Sequence, residues 1–247
     1  MNDLKNLYDI IFGDYKVVVI TGAGISTLSG IPDFRGSKGL YTKGSNVEYK
    51  LSLECLREEP EVFYEFYKSN LIVSDIEPNV IHKTLALLED RGLIQGIVTQ
   101  NVDGLHTRAG SKNVIELHGN GDRYYCSNCR VLYNESDYIE SCICNNCGHL
   151  IRPDVVLYGE GVKSDRYCAA LKMAEECDKV IVLGSTLSVS TIQGIINRFI
   201  ATKENFSIDD IIIINKGETD YDKKAVRYDV DLGDTFTKIL KKTNLDN

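Results

Sequence analysis

Several features are missing from this chain of 247 residues, and each absence excludes a class of protein. No apolar run approaches the length of a membrane-spanning helix, so we expect no membrane protein. The opening residues Met1–Lys5 have neither the basic start nor the apolar middle of a signal peptide. Neither an internal repeat nor a low-complexity segment interrupts the sequence. These absences predict a cytoplasmic protein.

Basic charge is also scarce, because 28 Lys and Arg face 36 Asp and Glu, which gives a formal net charge of −8. A general nucleic-acid binder needs a basic face, so this balance excludes that class and suits a cationic peptide partner. The hydrophobic content of 43% and the chain length predict one large globular domain, alone or with a small one. In the cytosol, the eight cysteines indicate metal ligands or free thiols and not disulfides.

The most informative stretch is a buried strand, Val17–Ile20, followed by Gly22 and Gly24. Glycine adopts backbone angles closed to other residues, and it has no side chain to keep a ligand away. A helix predicted to begin at Ile25 would direct backbone N–H groups at a phosphate. The G-x-G-x-x-G pattern is incomplete, because Thr27 replaces its third glycine, so an ordinary strand-to-helix turn stays an alternative.

Further apolar strands alternate with helical patterns, which predicts an α/β fold with a mostly parallel sheet covered on both faces. Residues 41–90 instead contain consecutive helical patterns, which predict a helical insertion and leave no acidic residue at a second strand for a ribose. Ligands of such sheets bind at the carboxyl ends of strands. The residues at those predicted ends, which we expect to converge, are Gly22, Gln100, His118, Gly184 and Asn215.

Two C-x-x-C pairs, Cys126 with Cys129 and Cys144 with Cys147, stand fourteen residues apart. This spacing predicts a tetrahedral structural Zn²⁺ site, and four thiolates would leave no open position for a substrate. Cys142 is an alternative ligand to Cys144. The remaining cysteines have no partner at metal-ligand spacing, so we expect small buried apolar residues at Cys55, Cys168 and Cys177.

His118 ends a predicted strand in Glu116-Leu117-His118-Gly119, where a histidine is a plausible general base. For His82 and His106 the sequence favours structural hydrogen bonds.

Taken together, the motifs resemble those of the sirtuins, which are NAD-dependent protein-lysine deacylases. They occur in the family's order over residues 16–230. The matching stretches are Gly22-Ala23-Gly24-Ile25-Ser26, Gly30-Ile31-Pro32-Asp33-Phe34-Arg35, Thr99-Gln100-Asn101-Val102-Asp103-Gly104-Leu105-His106, Leu117-His118-Gly119, the paired cysteines, and Arg152-Pro153-Asp154-Val155-Val156-Leu157-Tyr158-Gly159-Glu160.

The resemblance implies a doubly wound, Rossmann-like sheet and a small domain made of a zinc ribbon and the helical insertion. The large NAD-binding domain would contain residues 1–36, 92–120 and 152–247, and the small domain residues 37–91 and 121–151. The segment from Gly36 to Ser52 would close over NAD.

The resemblance also implies roles for individual residues. His118, as general base, and Asn101 would be catalytic. NAD would contact Gly22, Ala23, Gly24, Ser26, Thr27, Phe34, Arg35, Gln100, Asn101, Val102, Asp103, His118, Gly184, Ser185, Thr186 and Asn215. An acyl-lysine peptide would add as a strand against Val155, Val156, Leu157, Tyr158, Gly159, Leu187 and Ser188.

The implied activity is deacetylation by a monomer, with release of nicotinamide and O-acetyl-ADP-ribose and no direct contact with nucleic acid or membrane. Family members that remove acidic acyl groups carry Tyr-x-x-Arg where this chain has Tyr67 and Asn70, which favours neutral acyl groups here. Gly161-Val162 and Ser190-Thr191 also depart from common family residues near the peptide cleft. The alternatives are an NAD-dependent protein ADP-ribosyltransferase and a non-catalytic NAD-binding sensor.

Overall fold

The computed structural model describes residues 4–33, 46–72 and 76–245. Phe34, Arg35 and residues 36–45 of the expected closing segment lie outside the described residues. The described α-helices are α1 (Lys5–Phe12), α2 (Val47–Lys50), α3 (Leu53–Glu58), α4 (Pro60–Asn70), α5 (Val80–Asp90), α6 (Leu105–Arg108), α7 (Glu135–Glu140), α8 (Ser164–Glu176), α9 (Ser190–Ala201) and α10 (Leu232–Leu245). The described strands are β1 (Val17–Thr21), β2 (Gly96–Thr99), β3 (Val114–Glu116), β4 (Gly119–Cys126), β5 (Leu132–Tyr133), β6 (Ile151–Val155), β7 (Lys179–Leu183), β8 (Ile211–Ile214) and β9 (Val226–Tyr228).

Six strands form the larger sheet, in the order β3-β2-β1-β7-β8-β9. Every neighbouring pair in it is parallel. All residues of β1, β2 and β8 are buried, as expected for strands covered on both faces. The chain reverses its direction of winding between β1 and β7, which makes that pair the switch point of a doubly wound sheet. The predicted fold class is therefore confirmed.

Helices cover both faces of this sheet. On one face, apolar side chains of α1, α5 and α10 pack against the strands, among them Leu7, Leu85 and Phe236. On the other face, α8 and α9 pack through residues that include Ala170 and Ile196. Each face of the sheet is therefore covered by an apolar core, so a ligand site can form only at the ends of the strands.

Helix α5 packs in a different place from the one that the sequence predicted, because the predicted division put residues 37–91 in the small domain. Its apolar residues Ile81, Leu85 and Leu88 belong to the core of the larger sheet. The helical periodicity predicted the buried face of α5 correctly, but periodicity does not specify which partner covers that face. The remaining domain boundaries stay a prediction.

A second core lies around the antiparallel sheet β5-β4-β6. Helices α2, α3 and α4 and the cysteine-rich segment contribute to it, with buried side chains such as Phe63, Tyr67, Tyr124 and Tyr138. Strand β4 starts beside His118 and ends at Cys126, and β6 runs back alongside it to Val155. The antiparallel pair thus connects this small region to the larger sheet.

The turn after β1 forms a 3-10 helix, Ala23–Ser29, and not the first turn of an α-helix. It ends at Gly30, whose φ of 90° is left-handed and favours glycine. Among the described helices, none has both the length and the apolar character needed to cross a bilayer.

Candidate functional site

Three glycines bring the ends of β1 and β7 into close contact at the switch point. A Cβ atom on Gly24 would lie 2.8 Å from the Cα of Gly184, and a Cβ on Gly22 would lie 2.8 Å from the Gly184 carbonyl oxygen. Gly184 also has a left-handed φ of 61°. A side chain at any of these positions would clash with the neighbouring strand end, so glycine allows the two ends to pack closely and leaves bare backbone at this wall of the site.

A cavity of about 970 Å³ opens at these strand ends. Most of the residues that we predicted for the site line this cavity. They are Gly22, Ala23, Gly24, Thr27, Gln100, Asn101, Val102, His118, Val155, Val156, Leu157, Tyr158, Gly159, Gly184, Ser185, Thr186, Ser188 and Asn215. Leu187 does not line it, because its side chain is buried in the core beneath α9. The cavity is large enough for a dinucleotide and a side chain of a second ligand.

A smaller cavity of about 100 Å³ shares Ala23, Asn101 and Val102 with the large one. It contains Ser26 and Asp103, two predicted residues that do not line the large cavity. The Ser26 hydroxyl donates to Asp103 Oδ2 at 2.6 Å, and the Leu105 amide donates to Oδ1 at 3.0 Å. Both carboxylate oxygens are thereby held in place, and the carboxylate retains acceptor capacity for a small amide.

The histidine at the end of β3 is oriented by a backbone acceptor. His118 Nδ1 lies 3.1 Å from the carbonyl oxygen of Gln100. A carbonyl can only accept, so Nδ1 carries the hydrogen of the neutral ring and Nε2 is left as an unprotonated acceptor. Burial lowers the pKa of His118, although the Gln100 hydrogen bond opposes that shift. At neutral pH the ring is therefore in the form that can accept a proton.

Asn101 is fixed by its side-chain amide group. Its Nδ2 donates to the Gly22 carbonyl at 3.2 Å and to Ser26 Oγ at 3.1 Å. Because a carbonyl cannot donate, this pairing also identifies which end of the amide is the NH₂ group. Both hydrogens are used, so Oδ1 is the acceptor that Asn101 can offer to a hydroxyl or water in the cavity.

The segment predicted to bind a peptide continues from β6. The Val156 amide donates to the carbonyl of His118 at 2.8 Å, which ties this segment to the histidine. Arg152 forms two hydrogen bonds with Glu160, at 2.6 and 2.7 Å, and Arg152 also donates to the Val155 carbonyl. This mostly buried ion pair closes the loop 155–160 into a fixed shape.

The four cysteines of the two C-x-x-C pairs come together. Their sulfur atoms all lie within 4.8 Å of one another, with 3.4 Å between Cys126 and Cys147 and 3.6 Å between Cys129 and Cys144. Tetrahedral Zn²⁺ with bonds of about 2.3 Å would separate sulfurs by about 3.8 Å, so the cluster fits that ion. The Tyr133 hydroxyl donates to Cys144, which lowers the pKa of that thiol to about 6.

The other cysteines lie outside this group of four. Cys142, the alternative ligand, is not part of the cluster. Cys55 and Cys177 are buried, as the sequence predicted. The prediction for Cys168 is wrong, because that residue is exposed on α8.

Sequence reasoning missed one end of the large cavity. It is lined there by Leu28, by Lys216, by Asp231 between β9 and α10, and by Leu232 and Gly233 at the start of α10. The signal was present, since a short strand was predicted near residues 225–230 and its carboxyl end must lie at the same edge of the sheet. The loop lacks glycine-hydroxyl or amide patterns, so its position alone could have indicated it.

Comparison with known proteins identifies relatives over nearly the whole chain. The sequence profile of the Sir2 family matches residues 22–191. A Staphylococcus aureus (strain MSSA476) protein named NAD-dependent protein deacetylase is 42% identical over 230 residues, which is 91% of this chain and 92% of that protein.

Two solved structures are also similar. A Sir2 variant with deacetylated p53 peptide and 3'-O-acetyl-ADP-ribose gives a TM-score of 0.88 at 36% identity, covering 97% of this chain and 98% of its own. Sir2 with p53 peptide and NAD⁺ gives 0.87 at 35% identity, covering 98% and 99%.

Proposed function

The chain belongs to the Sir2 family, and on that premise we propose that it is an NAD-dependent protein deacetylase with His118 as general base. The single observation that carries the role of His118 is its hydrogen bond to the Gln100 carbonyl. That bond leaves Nε2 unprotonated in a residue that lines the cavity. A base at this position can remove the proton of a ribose hydroxyl.

The residues present fit NAD. Gly22, Gly24 and Gly184 line the cavity without side chains, so backbone can approach a phosphate, and Ser185, Thr186 and Asn215 supply polar groups along the same cavity. When bound, NAD supplies the ADP-ribosyl group that receives the acetyl group of the substrate lysine as nicotinamide leaves. Asp103 would accept a hydrogen bond from the nicotinamide carboxamide, and Asn101 Oδ1 would accept one from a hydroxyl or water. Apolar residues that line the small cavity with Val102 would exclude bulk water.

Substrate lysine enters between the loop 155–159 and the segment at Ser188, with the peptide backbone paired as a strand. A neutral acyl group suits the inner end of this space. Asn70, which stands where acidic-acyl members have arginine, donates to the Phe66 carbonyl of its own helix at 2.9 Å. Arg108 already donates to the Ile76 and Asp103 carbonyls, so it is poorly placed to pair with a succinyl carboxylate.

We also propose that the enzyme is a cytoplasmic monomer that binds neither nucleic acid nor membranes. Net charge of −8 supports this, because an acidic surface repels polyanions and other copies of the chain. Light scattering and partition between cell fractions test the two statements.

The test of the enzymatic function is nicotinamide release from NAD, with and without an acetyl-lysine peptide. We expect release that requires the peptide, and a peptide product lacking its acetyl group. In His118→Asn, the amide can still donate to Gln100 but cannot act as a base, so NAD binding should persist while deacetylation falls at least 100-fold, the usual scale for a general base. His118→Ala should lose deacetylation equally.

The same assay separates the alternatives. Release of nicotinamide without an acyl peptide would favour an ADP-ribosyltransferase. NAD binding with no release on any acyl peptide would favour a sensor. Deacetylation that survives in His118→Asn would overturn the role of His118.

A further inference from the structure

Beneath the catalytic cavity, four buried polar groups form a continuous chain of hydrogen bonds. The Asn101 amide donates to Thr99 Oγ1 at 3.0 Å, and Thr21 Oγ1 donates to Thr99 Oγ1 at 2.8 Å. His106 Nε2 lies 2.9 Å from Thr21 Oγ1. Thr21 and Thr99 end the neighbouring strands β1 and β2, so the chain joins two strand ends to the loop that carries Asn101.

The direction of these bonds fixes the form of the His106 ring. Thr21 uses its one hydrogen on Thr99, so its oxygen is left to accept from His106. Nε2 therefore carries the hydrogen, and Nδ1 has no hydrogen-bond partner among the described residues. Burial lowers the pKa of His106, which keeps the ring neutral and preserves this arrangement at physiological pH.

We infer that His106 is a positioning residue for Asn101, acting through Thr21 and Thr99. This inference rests on the proposed function, in which Asn101 offers Oδ1 to the ribose or to water. The Asn101 side chain is anchored to Gly22 and Ser26, and the backbone amide of the same residue donates to Thr99 Oγ1, its one partner within the described ranges. Loss of the His106 bond frees Thr21 to rotate away from Thr99 and loosens that second anchor.

A neighbouring histidine supplies a matched control. The His82 ring on α5 lies 5.0 Å from the His106 ring, centroid to centroid, and is equally buried. Neither of its nitrogens has a hydrogen-bond partner among the described residues. Replacement of His82 by phenylalanine therefore disturbs the same core without removing a hydrogen bond, whereas His106→Phe removes one.

The experiment compares His106→Phe, His106→Gln and His82→Phe with the wild type in two measurements. In steady-state deacetylation, His106→Phe should lower kcat/KM for NAD about five- to tenfold, the effect expected for one buried hydrogen bond. The KM for the acetyl peptide should not change. Glutamine can place an amide N–H near the Nε2 position and should restore most of the rate, and His82→Phe should match the wild type.

The second measurement needs no turnover. Hydrogen exchange of the Asn101 backbone amide should be at least fivefold faster in His106→Phe and unchanged in His82→Phe. Nitrogen NMR of the wild type should show His106 as the Nε2–H tautomer. If His106→Phe does not fold, Thr21→Val replaces it in both measurements, because valine has a similar shape and removes both the bond to His106 and the bond to Thr99.

The outcomes separate this inference from the proposed function. Equal losses in His106→Phe and His82→Phe, or no loss in either, would overturn the positioning role. Unchanged exchange of the Asn101 amide in His106→Phe would do the same. A wild-type protein that releases no nicotinamide with acetyl peptide would instead overturn the proposed function, and the exchange measurement would still decide the role of His106.

Discussion

The two sheets of this protein are held together in different ways. The larger sheet relies on burial, and its strand β8 consists of four consecutive isoleucines that are all buried. The smaller sheet includes β5, a strand of two residues in which Leu132 is 79% exposed, and it stands beside the four-cysteine cluster. Apolar burial therefore stabilises the larger sheet by itself, whereas the small region combines an apolar core with four cysteines that fit Zn²⁺, and we expect the metal to contribute to its folding.

The largest expected effect is loss of the metal. Chelation, or Cys129→Ser, should unfold the segment 121–151, because a structural Zn²⁺ contributes about 10–16 kcal/mol to folding at such a site. Hydrogen exchange should become fast there while β1, β7 and β8 keep their protection. Deacetylation should be lost as well, since β6 leads into the loop 155–160, which we propose contacts the peptide.

Cys142→Ser and Cys168→Ser are the controls, because both thiols lie outside the cluster. Neither should change zinc content or exchange. Normal protection of residues 121–151 in protein shown to be free of metal would contradict the comparison of the two regions.

The same contrast explains what sequence could predict. Apolar runs predicted β1, β2, β7 and β8, because a strand buried on both faces has a local pattern. Cysteine spacing predicted the cluster, because ligand spacing is local too. The core to which α5 belongs was not predictable, since Ile81, Leu85 and Leu88 define a face and not its partner.

Gly22, Gln100, His118, Gly184 and Asn215 were predictable because strand ends meet at one edge of a parallel sheet, whereas most of the other candidate site residues came from the resemblance to the sirtuins. The contacts of Gly184 with Gly22 and Gly24 are not visible in sequence, since they join segments about 160 residues apart. The isolation of His82 was also missed, and the expectation that it makes a structural hydrogen bond is wrong for the described residues. The sequence does not show whether a buried histidine forms a hydrogen bond.

A truncation in each region is the next largest test. Ile213→Ala in β8 should lower the free energy of unfolding by about 2–5 kcal/mol, because it leaves a cavity between two covered faces. Leu132→Ala in β5 should change it by less than about 0.5 kcal/mol, because the leucine is exposed. Denaturant titration measures both, and a similar cost for the two variants would show that burial does not distinguish the sheets.

The junction of the two regions gives a smaller effect. On β6, Asp154 accepts from Lys163 and Arg166 at 2.7 Å each and from Arg123 at 3.2 Å. Burial alone would raise the pKa of Asp154, but the hydrogen bonds and positive charges of Lys163 and Arg166 bring it below its usual range.

Asp154→Asn should therefore cost about 2 kcal/mol of unfolding free energy and loosen the link between the sheets. Asp90→Asn, which breaks an exposed pair with Lys112, should cost less than about 0.5 kcal/mol. Thermal unfolding at low and high salt measures both variants. Equal losses of unfolding free energy in the two variants would show that the Asp154 ion pairs do not contribute specifically to the link between the sheets.

The smallest expected difference between the two regions is their response to acid. In the larger region, acid lowers the free energy of unfolding through the buried histidines. Burial lowers the pKa of His82 below its ordinary 6.5, so the folded protein keeps this ring neutral while the unfolded chain takes up a proton. Below pH 6.5 the unfolded state binds more protons, and stability falls as the pH falls. One such histidine costs about 0.8 kcal/mol at pH 6.0 relative to pH 8.

His82→Phe should remove that share of the acid sensitivity, because phenylalanine takes up no proton in either state. Burial also lowers the pKa of His106 and of His118, so part of the slope should remain in the variant. Denaturant titrations between pH 8 and pH 5 measure the slope. The zinc cluster responds to acid by a different route, through protonation of its thiolates, and His82→Phe cannot relieve that. If His82→Phe restores hydrogen-exchange protection at acid pH in α5 but not in residues 121–151, the two acid responses belong to the two regions. If the free energy of unfolding of His82→Phe depends on pH just as that of the wild type does, His82 is protonated in the folded protein.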